Sequence, residues 1–148
     1  HGLHYTVLRY SNVYGPRQDP FGEAGVIAIF TQKMLSGDQP VINGSGEQTR
    51  DFVFVGDVAA ANVRALESDC IGEFNISTGT ETTINQLFQM LKTITAASVE
   101  EVHGPALPGE QLRSVLSWEL AAQRLGWRPM VSLREGLQAT VAFFKAKQ

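Results

Sequence analysis

Cysteine is nearly missing from this 148-residue sequence: Cys70 stands alone. That excludes an internal disulfide and any disulfide-stapled secreted scaffold, so a reducing, cytoplasmic setting is expected. A basic excess is missing too. Lys and Arg number 12 against 15 Asp and Glu, for a net charge of -3, which excludes a general nucleic-acid-binding surface. No apolar run approaches the roughly 20 residues that a bilayer-spanning helix needs, so no membrane partner is expected. The sequence opens on His1 rather than Met, with no basic-then-apolar leader. It is therefore expected to be a fragment without a secretory signal. His1, His4 and His103 share no spacing with one another or with the cysteine, so no metal site is expected. Without a secretory signal, the sequon Asn75-Ile76-Ser77 is read as chance.

What remains is an ordinary globular composition, 43% apolar, long enough to bury one core. No repeat or linker divides it, and residues 1–148 are read as one region of mixed α/β type. Residues 5–10 pattern as a strand, and residues 11–25 as a long polar, Gly- and Pro-rich binding loop. Val26, Ile27, Phe30 and Met34 recur at helical spacing, with Gly37 placed to end the helix. Residues 40–43 predict a short strand and residues 44–48 a turn. Residues 49–55 predict a strand with Arg50, Phe52 and Phe54 on one face and Asp51, Val53 and Val55 on the other. Asp57 is expected to open an Ala-rich helix ending near Glu67. Strands are expected at 73–76 and 99–102. Thr83 with Gln86, and Ser132 with Glu135, predict two capping boxes. Ile84, Leu87, Phe88, Leu91 and Ile94 line the first of these helices, and Leu133, Leu137, Val141 and Phe144 the second. Ser117 is expected to cap a helix that buries Trp118, Ala121, Ala122 and Leu125 and stops at Gly126.

Arg50 shares its strand face with two phenylalanines and is expected to be partly buried. A buried guanidinium needs an anion. That anion is either a structural carboxylate partner or a phosphate gripped from outside. The helix start at Gly25 and Val26 offers backbone N–H groups and a positive dipole end suited to the second case. Asn12 follows a strand directly and either contacts a phosphate or hydroxyl or fixes its own turn. "GSGE" at residues 44–47 lacks a third glycine and leads into a strand, so it is not a dinucleotide loop. Trp118 and Trp127 fit core packing. No Ser–His–Asp order has a supporting local motif. The residues alone point to an α/β domain that binds a phosphorylated small ligand.

In order along the chain, "LRYSNVYGPRQ", "GSGEQTRDFVFVGDVAAA", "FNISTG" and "LGWRPMVSLREGL" resemble the C-terminal half of extended short-chain dehydrogenase/reductases of the NAD-dependent epimerase/dehydratase family. The likeness is greatest to bacterial nucleotide-sugar epimerases of the UDP-glucose 4-epimerase type. It covers the whole chain. It implies the last strand or strands of a Rossmann sheet followed by a small mixed α/β substrate-binding domain. The NAD-binding half, with its glycine-rich loop and catalytic Tyr-x-x-x-Lys, is absent from this sequence. The implied function is the UDP-sugar-binding portion of an NAD-dependent epimerase, inactive by itself. Two alternatives are a stand-alone binding or interaction module and a piece of a related dehydratase or decarboxylase.

The resemblance also implies roles. The backbone at Tyr10 lies near the nicotinamide, and Asn12 contacts the sugar nucleotide. Val41 and Asn43 line the uracil pocket through their backbone. Arg50 binds the diphosphate, and Glu110, where relatives mostly carry Asp, holds the ribose hydroxyls. NAD is the cofactor of the whole family enzyme, and none is expected on this chain alone. Leu107 stands where the family usually has a second arginine; Arg113 is the nearest replacement in sequence. Gly56 and Ser117 stand where relatives often have Asp. The first strand would lack its sheet neighbours, so association or strand exchange through residues 3–10 is expected.

Overall fold

The structure, a computed structural model, describes residues 2, 4–21 and 25–147; His1, Leu3 and residues 22–24 of the expected loop lie outside the described residues. Strand β1 (Thr6–Tyr10) pairs in parallel with β6 (Gly72–Ile76), from Thr6 opposite Gly72 to Tyr10 opposite Ile76. Strand β2 (Asn12–Tyr14) pairs in parallel with β5 (Phe52–Phe54). Strand β3 (Ile42–Asn43) pairs in parallel with β8 (His103–Gly104). Strand β4 (Thr49–Arg50) runs antiparallel to β7 (Thr82–Thr83). Among the described residues there are also five helices: α1 (Val26–Ser36), α2 (Val55–Glu67), α3 (Ile84–Thr95), α4 (Glu119–Leu125) and α5 (Leu133–Lys145).

Two apolar clusters hold these elements. The larger joins Ile27, Phe30 and Met34 of α1 to Leu87, Phe88 and Leu91 of α3 and Leu137 and Val141 of α5. Phe30 and Phe88 meet edge-on, with ring centroids 5.9 Å apart. The smaller joins Val53, Val58, Ala61, Phe74, Ile76, Ala121, Leu125 and Trp127. Strand β5 lies between them. Phe52 and Phe54 contribute to the larger cluster and Val53 to the smaller, as period-2 alternation requires.

Both capping boxes form. Thr83 Oγ1 accepts from Gln86 N while Gln86 Oε1 accepts from Thr83 N, and Ser132 and Glu135 repeat the arrangement. Gly37 ends α1 and Gly126 ends α4, both in the left-handed conformation.

Several expectations are corrected. The loop at 11–25 contains β2, because the chain turns at Ser11 and finds a new partner when Asn12 N donates to Asp51 O at 2.9 Å. The strand at 49–55 breaks at Asp51 and ends at Phe54, with Val55 opening α2. Asp51 is fully buried, and the donors gathered around its carboxylate hold the break. At 40–43 only Ile42 and Asn43 are strand. The strand expected at 99–102 is absent, and its place in the pairing is taken by His103–Gly104. Asp57 lies inside the first turn of α2. Its carboxylate accepts from Met130 N and Val131 N, both at 3.1 Å, pinning a distant loop rather than capping its own helix. Helix α4 begins at Glu119 after Trp118, and Ser117 Oγ accepts from Glu119 N at 3.3 Å.

Candidate functional site

A cleft of about 640 Å³ opens between the start of α1, β3, β4 and the loop leading to Arg113. Asn12, Gly25, Val26, Val41, Asn43, Arg50 and Glu110 all line it. These residues come from separate stretches of the chain, brought together by the short parallel pairs β2–β5 and β3–β8. Ile29, Phe30, Phe52 and Ile84 form an apolar wall, while Arg50, Glu110, Gln48 and Asn43 gather at a polar end.

Among the described residues, Arg50 is the only Lys or Arg lining the cleft. Its side chain is 16% exposed and its Nη2 donates to Glu110 Oε1 at 3.1 Å. Nη1 donates to Thr49 O at 2.8 Å and Gln111 O at 2.7 Å. Of the two readings of its anion, the carboxylate partner is therefore present. A guanidinium has five N–H donors. Those three bonds leave the Nε donor and one on Nη2 without acceptors among the described residues, in a side chain already fixed in place.

Helix α1 starts at Gly25 with extended backbone and no side-chain cap. The N–H groups of Val26 and Ile27 have no intrahelical acceptor by position, and both residues border the cleft. A Cβ on Gly25 would lie 2.8 Å from Gln18 Nε2, so a larger residue would push Gln18 aside. The side chain of Asn12 is exposed and has no hydrogen bond among the described residues, so it does not fix its own turn. Tyr14 is a core residue: burial first, then the Asp57 and Glu135 carboxylates, push its phenol well above the ordinary tyrosine value. It holds its proton at neutral pH and offers no base to the cleft.

Tyr10 is not brought to this cleft. Its hydroxyl meets the side chain of Asn62 at 3.0 Å, and it borders a second groove between β1 and the end of α2.

The sequence profile of the NAD dependent epimerase/dehydratase family matches residues 1–77, more than half of the 148. The chain belongs to the NAD dependent epimerase/dehydratase family. A UDP-glucose 4-epimerase of Mycolicibacterium smegmatis is 48% identical over 139 residues, covering 93% of this chain and 44% of that protein. The crystal structure of UDP-glucose 4-epimerase with UDP-glucose from Thermotoga maritima superposes with a TM-score of 0.96 at 54% identity, over 99% of this chain and 47% of that one. The Thermus thermophilus UDP-glucose 4-epimerase in complex with NAD gives 0.90 at 41% identity, over 99% of this chain and 48% of that one. The chain spans somewhat under half the length of these relatives.

Among the described residues, the groove beside Tyr10 is lined by no Lys or Arg and includes Asp69. Leu107, at the position where the resemblance implies an arginine, lines the main cleft. Arg113 does not replace it: it lies outside the cleft, its Nε and Nη2 gripping Glu81 at 3.0 and 2.6 Å. That bond, with a second from Thr49, holds the Glu81 carboxyl below the usual carboxylate range.

Two polar residues escaped the sequence reading. Gln48 is 7% exposed at the polar end of the cleft. Asp51 accepts from Thr78 N at 2.9 Å, Thr78 Oγ1 at 2.7 Å and Gly79 N at 3.0 Å, with longer contacts from Ser11 Oγ and Leu116 N. The available signal was a carboxylate inside the apolar run 51–55, on a face otherwise made of valines.

Proposed function

We propose that this chain is the nucleotide-sugar-binding portion of an NAD-dependent UDP-sugar epimerase. The observation supporting it is the gathering of five residues implied by the resemblance, Asn12, Val41, Asn43, Arg50 and Glu110, with Gly25 and Val26 of the helix start, around one cleft, where a largely buried guanidinium has two N–H donors without acceptors among the described residues. In this reading the ligand's diphosphate takes those donors and the open N–H groups at the start of α1. Glu110 accepts from the ribose hydroxyls. The backbone of Val41 and Asn43 borders the uracil, and Asn12 meets the sugar side. Strands β1 and β6 belong to a Rossmann sheet whose other strands lie outside this chain.

Epimerisation requires an oxidant and a general base, and we assign neither to residues of this chain. Its contribution is remote binding energy, which holds the nucleotide while the sugar end stays free to turn. With Leu107 in place of an arginine, one charge-assisted phosphate contact is missing. Such a contact is worth about 1.5–3 kcal/mol, or roughly tenfold to a hundredfold in affinity. The lone cysteine favours a cytoplasmic setting. In the chain by itself the free edge of β1, with Tyr5, Val7 and Tyr10 exposed, offers a second copy a place to pair.

Calorimetric titration with UDP tests the reading. We expect binding that weakens at least about tenfold in Arg50→Ala. No binding to UDP, or equal affinity in the variant, would refute it and leave a non-binding interaction module in its place.

A further inference from the structure

Glu110 sits in a loop without regular secondary structure, so side-chain bonds rather than a helix or strand must orient its carboxylate. Arg50 Nη2 supplies one at 3.1 Å. The other neighbour is Gln48, whose Nε2 lies 3.4 Å from each of the two Glu110 oxygens. The same nitrogen donates to Asn43 O at 2.9 Å, and the backbone of Gln48 is held as its carbonyl accepts from Ile84 N at 3.2 Å.

An amide nitrogen has two hydrogens. One goes to the Asn43 carbonyl; the second faces the carboxylate symmetrically. Gln48 therefore ties the β3 wall of the cleft to the loop that carries Glu110.

Resting on the reading above, we infer that Gln48 is a positioning residue that sets Glu110 for hydroxyl recognition, and through it the preference of the cleft for a ribo- over a 2′-deoxyribonucleoside diphosphate. A carboxylate has about four lone-pair sites. Arg50 and Gln48 occupy two directions and hold the group still, leaving the others free to accept from the ribose hydroxyls. Without the amide, Arg50 is the one side-chain partner left to the Glu110 carboxylate among the described residues, and the carboxylate follows the guanidinium wherever the diphosphate draws it. A missing 2′-hydroxyl then costs little.

The test measures the affinity of the chain for UDP and for 2′-deoxy-UDP. Gln48→Met keeps the length of the side chain and removes its donors; Gln48→Glu places a second carboxylate against Glu110. Wild type should prefer UDP by about tenfold or more, and both variants should bring the ratio towards one while Arg50 still matters. A purely structural role for Gln48 would weaken both ligands alike and leave the ratio intact, and that outcome overturns the inference while sparing the reading of the cleft. A wild type that binds both ligands equally also overturns it. A wild type that binds neither defeats the functional reading first. Should Gln48→Met lose its thermal transition, Gln48→Asn, with an amide one methylene shorter, carries the same test.

Discussion

Replacing Asp51 with alanine should unsettle this fold more than its single charge suggests. The carboxylate is fully buried, and no Lys or Arg pairs with it among the described residues. Its negative charge is instead distributed over the N–H groups of Thr78 and Gly79 and the Thr78 hydroxyl, all within 3.0 Å. Each hydrogen bond to a charged acceptor is worth about 1.5–3 kcal/mol, and a buried N–H left without a partner costs about 1–3 kcal/mol. Thr78 is half-buried and Gly79 exposed, so water recovers part of the penalty, and the three bonds, at the lower end of their range, together lose about 4 kcal/mol. Relief from burying an unpaired carboxylate offsets part of that, leaving a net loss of about 3 kcal/mol from a total of about 5–15 kcal/mol. Urea denaturation followed by circular dichroism reads this out. At a slope of about 2 kcal/mol per molar, the midpoint should fall by about 1.5 M. Asp51→Asn should fall less, since one oxygen remains while the new NH₂ group faces donors. A midpoint drop below about 0.3 M for Asp51→Ala would refute the claim that this carboxylate organises the junction of β2, β5 and the 78–80 turn.

A Cβ on Gly136 would lie 2.0 Å from the Tyr14 hydroxyl. Gly136→Ala should therefore destabilise by about 1–3 kcal/mol, and adding Tyr14→Phe should recover part of the loss in the same urea assay. Ser132→Ala removes one arm of a capping box and should cost about 1 kcal/mol, read from the urea midpoint. His103 offers Nδ1 to Gly44 O at 2.8 Å and Nε2 to Glu101 Oε1 at 3.1 Å. Both partners are acceptors, so the imidazolium satisfies both. The Gly44 bond first, and Glu101 after it, raise its pKa above the ordinary value. The folded state thus binds this proton more tightly than the unfolded one. The stabilisation is fully present below the ordinary histidine value of about 6.5 and is lost as pH rises through the raised folded value. The Tm difference between wild type and His103→Gln should be larger at pH 6 than at pH 9, and an equal or reversed difference would contradict this.

Features made by neighbours in sequence were the most legible. Thr83 with Gln86 and Ser132 with Glu135 announce their helices because both members of each box lie within one turn. The alternation through residues 49–55 gave the two faces of β5 correctly but not its break, because the donors that hold Asp51 arrive from residues 78, 79 and 116. Two-residue strands such as β3 and β8 have no period to read, and their pairing joins residues about sixty positions apart. In the candidate site, Arg50 could be singled out because a cation flanked by phenylalanines is chemically odd. Gln48 carried no such oddity, since its meaning lies in Asn43 and Glu110, which the fold brings to it. Arg113 misled for the converse reason: it is close to Glu110 in sequence, yet its guanidinium is committed to Glu81.

The most direct test of the central claim is a UDP titration of the isotopically labelled chain, following its backbone amide resonances. Shifts should concentrate at Asn12, Val26, Asn43, Arg50 and Glu110, around the Arg50 cleft, and Arg50→Ala should suppress them together. Shifts gathered instead around Tyr10 and Asn62, or a spectrum that UDP leaves unchanged, would contradict it.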